Sequence, residues 1–214
     1  MAEKRKNAVN EELKFPGMEA FEENLTGLLN TPEGEQTTPI IVSVFDTDEF
    51  MRVNTEFGME TGDQVLIETG KYVASQLPEG ATIYRIGGDE FGIVFTNGME
   101  KEDVFLFMEG LRKGFAVKLP NGEALTISIG IAAAFEDANR FQELYRKAES
   151  ALFRAKGSGR NKVALAKEEK MVPKTSHYTA DQLKCLTKLS KSEGVGEAIL
   201  LREALDMLLK KYDA

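Results

Sequence analysis

The chain has no tryptophan, and cysteine and histidine occur once each, as Cys185 and His177. One cysteine excludes an internal disulfide framework and fits a reducing compartment, and paired with a single histidine it cannot anchor a zinc site. Packing or surface exposure is the expected role of Cys185. No apolar run reaches 18 residues, and the opening Met1-Ala2-Glu3-Lys4-Arg5-Lys6-Asn7 has no apolar core of the kind a secretion signal needs. A membrane span, a leader and a fused sensory module are therefore not expected, and the expected setting is cytoplasmic. A basic excess is also lacking, with 27 Lys and Arg against 35 Asp and Glu. What is present is 214 residues, 42% hydrophobic and 29% charged, enough to bury a core in one or two domains.

Two adjacent carboxylates, Asp89 and Glu90, follow Gly87-Gly88 between the alternating apolar runs Ile83-Tyr84 and Phe91 to Phe95. Paired glycines permit the positive φ of a tight two-residue turn, so a hairpin with acids at its tip is expected. Alone, this string reads equally well as a solvated acidic turn. A second acidic cluster favours a metal site. Asp46-Thr47-Asp48 closes the run Pro39 to Phe45, which is short, β-branched and unbroken like a buried strand. Asp46 beside Asp89 would supply hard oxygen ligands suited to Mg²⁺, usually held by one or two carboxylates plus substrate phosphates. The implied chemistry is phosphoryl or nucleotidyl transfer.

Six ordered blocks, at about residues 21–163, resemble the GGDEF-type diguanylate cyclases: Asn24 to Asn30, Asp46 to Asn54, Gly62 to Leu66, Arg85 to Phe91, Thr126 to Ala132 and Ala151 to Asn161. The resemblance implies that Asp46 and Asp89 bind the metals, with the Thr47 carbonyl as a further ligand. Glu90 would be a second ligand or the base for the 3′-hydroxyl. Asn54 and Asp63 look like the guanine readers, with Phe50 also on the substrate. Lys156 and Arg160, expected i and i+4 on one face near a helix end, would bind the β- and γ-phosphates. Two Mg²⁺ per site, with Mn²⁺ as an alternative, would polarise the α-phosphate and acidify the attacking 3′-hydroxyl. The implied reaction converts two GTP into cyclic di-GMP and two pyrophosphates.

Each residue also has a bland reading. Lys156 and Arg160 fit a cationic helix C-terminus, Asp63 fits a start-of-helix acid ahead of Val65, Leu66, Thr69, Val73 and Leu77, and Asn54 alone says nothing. Their order along one chain favours function. The chain also departs from the family pattern. Met51 stands where a lysine usually helps hold the triphosphate, with Arg52 next to it. Thr31 replaces the usual arginine after Asn30, and Thr31 to Thr38 reads as a loop where the family has room for a helix. Pro78-Glu79-Gly80-Ala81 does not match the family's Arg-x-x-Asp inhibitory site, so product inhibition there is not expected.

The elements read as a helix to about Leu29, a strand over 40–45, helices over 49–58 and 62–77, and the acidic hairpin. A helix over 101–113, a hairpin turning at Asn121-Gly122, a helix over 139–155 and a short strand from Asn161 follow. This is an α/β pattern of the α+β kind, a mixed, largely antiparallel sheet flanked by helices, matching the palm-like fold that the resemblance implies. The charge run Ala166 to Lys170 marks a domain boundary, giving 1–166 and 167–214. The second part has nine Lys and Arg against eight Asp and Glu, which leaves residues 1–166 at −9 of the total −8. That acidity argues against non-specific nucleic-acid binding by the first domain.

Lys174 to Tyr212 resembles a ribbon-helix-helix module: an extended piece, a Thr179-capped helix with Leu183, Leu186 and Leu189, a Gly194-Val195-Gly196 turn, and a helix with Leu201, Leu205, Leu208 and Tyr212. Such a module is too small to fold alone, so a homodimer is expected through it. The resemblance would send Pro173, Thr175 and His177 into DNA, but Lys174, Ser176 and Tyr178 make a poor inner face and Pro173 cannot donate to a ladder. Dimerisation is favoured over DNA binding. Two functions stay open: a constitutively dimeric diguanylate cyclase, which is favoured, and a GTP- or dinucleotide-binding regulator that has lost turnover and whose tail binds DNA or a partner.

Overall fold

The computed structural model describes residues 9–31, 38–167, 173–193 and 195–211, and the chain divides into two compact units, 1–168 and 169–214. In the first, the apolar run after Pro39 becomes β1 (Ile41–Thr47), buried at every position because it pairs with a strand on each side. Around it, in chain order, come α1 (Met18–Leu29), α2 (Phe50–Phe57), α3 (Met59–Gln76), β2 (Ala81–Arg85), β3 (Glu90–Phe95), α4 (Lys101–Gly114), β4 (Ile127–Ala133), α5 (Phe141–Gly157) and β5 (Val163–Leu165). The five-stranded sheet runs β2-β3-β1-β4-β5, antiparallel except where β5 joins β4 in parallel. This is the expected mixed, largely antiparallel sheet flanked by helices.

Alternation along β1 sorts its side chains between two cores. Ile41 and Phe45 pack with Val65, Val73, Val104 and Met108 of α3 and α4. Val42 and Val44 pack with Phe21, Leu25, Leu144 and Leu152 of α1 and α5. Asp46 continues the second parity and so falls on the α5 side. That helix sits directly on β4, since a Cβ on Gly130 would lie 2.1 Å from the Ala148 carbonyl oxygen and 2.3 Å from the Leu152 nitrogen. A residue without a side chain is what lets the two backbones meet, one helical turn before Lys156.

Local expectations fail at the turns. Gly87 and Gly88 are not among the positive-φ glycines. A loop over 86–89, in which the Ile86 and Gly87 amides both donate to the Glu90 carbonyl at 3.1 Å, replaces the expected two-residue turn. Glycine serves position 87 through space instead, because a Cβ there would stand 3.0 Å from the Glu90 Cβ. The chain does turn at Asn121-Gly122, with Gly122 at φ 85°, but its limbs form only the bridge Lys118 to Ala124. Most of the expected 31–38 loop lies outside the described residues.

The second unit holds α6 (Ala180–Glu193) and α7 (Glu197–Lys211). Thr179 caps α6 as expected: its hydroxyl accepts the Gln182 amide at 3.2 Å while Gln182 Oε1 accepts the Thr179 amide at 2.9 Å. Residues 173–179 form no strand in the single chain, where an isolated ribbon has no ladder to satisfy its backbone. Gly194 of the expected turn and Tyr212 at the end of the leucine stripe lie outside the described residues. Among the described residues no helix is long and apolar enough to cross a membrane.

Candidate active site

Antiparallel register sets Asp46 of β1 opposite Glu90 of β3 on one side and opposite Ser128 of β4 on the other. Both carboxylates are nearly shut off from solvent, at 2% and 3% exposure. From α5, Lys156 Nζ donates to Asp46 Oδ2 at 2.8 Å, while Asp46 Oδ1 is buried with no hydrogen-bond partner among the described residues. Burial first, and the Asp89 charge second, push the Asp46 carboxyl up to about 7 against the pull of Lys156, with Glu90 adding to the rise. A dry carboxylate with an unsatisfied oxygen and like charges beside it is suited to receive a cation. Among the described residues no three His, Cys, Asp or Glu side chains gather closely enough to hold an ion by themselves.

Glu90 has a neighbour that the sequence did not disclose. The Tyr145 hydroxyl lies near the Glu90 and Glu149 carboxylates, and its pKa is raised by burial first and by those two charges next. Its ring stacks on Phe141 at 5.9 Å and meets Phe21 edge-on at 6.0 Å, which fixes the phenol against the sheet.

On the other side of the acidic loop, α2 and α3 bring the expected base-reading positions together. A Cβ on Gly62 would lie 1.9 Å from Asn54 Oδ1 and 3.3 Å from the Phe50 ring, so Phe50 and Asn54 converge on the residue preceding Asp63. Arg85 joins this region to the loop. Its guanidinium is buried, which lowers its pKa, and both Asp63 and Asp89 oppose that shift. It donates to the Gly88 carbonyl at 2.7 Å and to Asn10 Oδ1 at 2.6 Å.

The expectation that Lys156 and Arg160 share one helical face is corrected. α5 stops at Gly157, and Gly159 (φ 107°), Arg160 (φ 57°) and Asn161 (φ 48°) turn left-handed. Glycines at 157 and 159 break the i, i+4 pattern that the cation spacing suggested. Arg160 lines a recess of 310 Å³ together with Asp48, Glu49, Arg52, Glu123 and Thr126. Arg52 is committed there to glutamates, pairing with Glu49 at 2.8 Å, Glu56 at 3.1 Å and Glu123 at 2.5 Å. Met51 is 64% exposed. Asp48, the second acid of the β1 cluster, is held by three donors: it accepts the hydroxyls of Thr126 at 2.6 Å and Ser128 at 2.7 Å and the Asn161 amide at 3.0 Å. These partners lie far along the chain, so no local spacing signals them.

The profile of the family described as diguanylate cyclase, GGDEF domain, matches residues 14–162. The chain is 34% identical over 134 residues to diguanylate cyclase DosC of Escherichia coli (strain K12), covering 61% of this chain and 29% of that protein. It is 33% identical over 136 residues to probable diguanylate cyclase DgcT of the same strain, covering 61% and 30% respectively. The chain thus spans less than a third of the length of either relative. The GGDEF domain of YfiN (TpbB) from Pseudomonas aeruginosa superimposes with a TM-score of 0.68 at 26% identity, over 73% of this chain and 99% of that one. The GGDEF domain of DgcB from Caulobacter crescentus, solved in complex with c-di-GMP, gives 0.63 at 27% identity, over 71% and 89%.

Proposed function

The chain belongs to the GGDEF family of diguanylate cyclases, and on that footing we propose that it condenses two GTP into cyclic di-GMP with release of two pyrophosphates. The observation that carries this reading is the buried, unpartnered Asp46 oxygen set beside Asp89, Glu90 and Lys156. Asp46, Asp89, Glu90 and the Thr47 carbonyl would hold two Mg²⁺ per site. Bound there, the metal supplies polarisation of the α-phosphate and a lowered pKa for the 3′-hydroxyl.

The protein's own groups do the rest. Phe50, Asn54 and Asp63 seat and read the guanine. Lys156 is tied to Asp46 in the free protein and, once that carboxylate has a cation, turns its charge to the triphosphate beside Arg160. Glu90, steadied by Tyr145, serves as a ligand or takes the 3′-hydroxyl proton. The 3′-oxygen of each GTP forms a bond to the other's α-phosphorus, the α–β bridging bond breaks, and pyrophosphate leaves, once in each direction.

Closing that ring takes two sites face to face, and the C-terminal unit supplies the pairing in this reading. Its Leu183, Leu189, Leu205 and Leu208 are 44%, 46%, 53% and 50% exposed in the single chain. Tyr178, Leu186 and Leu201 line an apolar recess of 340 Å³ in that unit. Two helices cannot cover such a stripe themselves, so a second copy interlocks with it in ribbon-helix-helix fashion, in the cytoplasm. The commitment of Arg52 to three glutamates favours a second reading, a GTP- or dinucleotide-binding regulator without turnover. Mg²⁺-dependent turnover of GTP by the parent decides between them, and Asp46→Ala and Asp89→Ala test the metal site. Each should abolish Mg²⁺-dependent consumption of GTP with circular dichroism unchanged, and turnover surviving in either variant contradicts the metal-site assignment.

A further inference from the structure

Arg160 and Asn161 take successive φ values of 57° and 48°. Non-glycine residues rarely adopt this conformation singly and hold it in succession only where the surroundings over-determine it. Stopping α5 does not require it, because Gly157 and Gly159 already end the helix. The holding contacts are explicit. The Arg160 amide donates to the carbonyls of Ala155 at 3.1 Å and Lys156 at 3.2 Å. The Asn161 amide donates to Asp48 Oδ2 at 3.0 Å, and Arg112 Nη1 donates to Asn161 Oδ1 at 2.6 Å. Each grip is itself fixed: Asp48 by the hydroxyls of Thr126 and Ser128, Arg112 by Glu109 at 2.8 Å.

A carboxylate at the end of β1 and a guanidinium on α4 therefore clasp one strained turn from two elements, and this turn lines the recess with Gly159, Arg160 and Asn161, of which Arg160 carries the charge. We propose that Asp48 and Arg112 are positioning residues, holding the 160–161 turn in its left-handed form so that the Arg160 guanidinium is aimed at the terminal phosphates of the nucleotide before it binds. The inference rests on the phosphate-binding role given to Arg160 above. Preorganisation of this kind acts on affinity, because the ordering cost is met during folding and not at binding.

The test compares two ligands by calorimetry in the presence of Mg²⁺. 3′-Deoxy-GTP has no attacking hydroxyl and cannot be turned over, while GMP lacks the β- and γ-phosphates. Asp48→Asn and Arg112→Ala should each weaken 3′-deoxy-GTP on the order of tenfold, the worth of one misplaced charge-assisted hydrogen bond, and leave GMP nearly unchanged. Arg160→Ala should show the same selective loss, and adding Arg112→Ala to it should cost nothing more. Arg112→Ala, away from the buried end of β1, keeps the test alive should Asp48→Asn fail to fold. Equal losses for both ligands, or additive losses in the double variant, overturn the positioning role. If Arg160→Ala binds 3′-deoxy-GTP as the parent does, the phosphate role of Arg160 falls and this inference with it. If Arg160→Ala loses affinity and the two positioning variants do not, only the inference falls.

Discussion

Replacing Asp46 by Asn should stabilise the metal-free protein above neutral pH while destroying its response to Mg²⁺. The Asp46 carboxyl is pushed from 3.8 up to about 7 by burial and by Asp89, with the Lys156 pair already counted against that rise. A carboxyl whose folded pKa lies above its unfolded value keeps its proton in the native state while the unfolded chain has released it. Its contribution is therefore fully present below the unfolded pKa and is lost as pH rises toward 7. At about 1.4 kcal/mol per unit, the parent should give up about 4 kcal/mol across that window, and Asn should give up none of it. For a unit of this size the difference corresponds to roughly 10 °C in Tm. Thermal unfolding of both proteins in chelator, stepped from acid to alkaline pH, should show a gap that opens with pH and levels off above about 7. Added Mg²⁺ should raise the parent's Tm and leave the variant's unmoved. A variant whose deficit against the parent grows as pH rises would show that the Lys156–Asp46 pair outweighs desolvation and would refute the reasoning.

Other consequences are equally direct. Gly130→Ala drives a Cβ into the α5 backbone, which has no rotamer to yield, so urea unfolding should show a loss of about 1–3 kcal/mol; an unchanged midpoint would mean the helix does not sit where described. Asp63→Ser should erode a strong preference for GTP over ATP more than it lowers stability, since polar readers left unpaired by the wrong base are what discriminate; equal use of both nucleotides by the parent would displace the readers. Truncation after Ala166 should give a largely monomeric protein by sedimentation that keeps GTP affinity yet loses specific activity when dilute, because tethering at an effective concentration on the order of mM is gone; a truncated dimer, fully active at low concentration, would remove that role from the tail.

Much of this was legible in the sequence where one element decides the matter. The short, β-branched, unbroken run before Asp46 reads as a buried strand and is one, and α3 follows the spacing of Val65, Leu66, Thr69 and Val73, all buried. What depends on register or on distant contacts was not legible. Asp46 faces Lys156 because Gly130 lets α5 down onto β4, a relation among three separated segments. Asp48 stands in the same acidic cluster as Asp46, yet it accepts from three donors brought in by β4 and by the turn after α5. The spacing of Lys156 and Arg160 suggested one helical face because periodicity takes no account of two glycines that stop the helix. At Gly87 the expected positive φ is absent, and the glycine leaves room for the Glu90 side chain instead, a relation that only the folded loop discloses.

The most direct test is to incubate the purified full chain with GTP and Mg²⁺ and identify the products by mass. Cyclic di-GMP and pyrophosphate in a ratio of one to two, absent from the Asp46→Ala protein, is the predicted result. GTP recovered intact, or cut to GDP and phosphate, would contradict the cyclase reading.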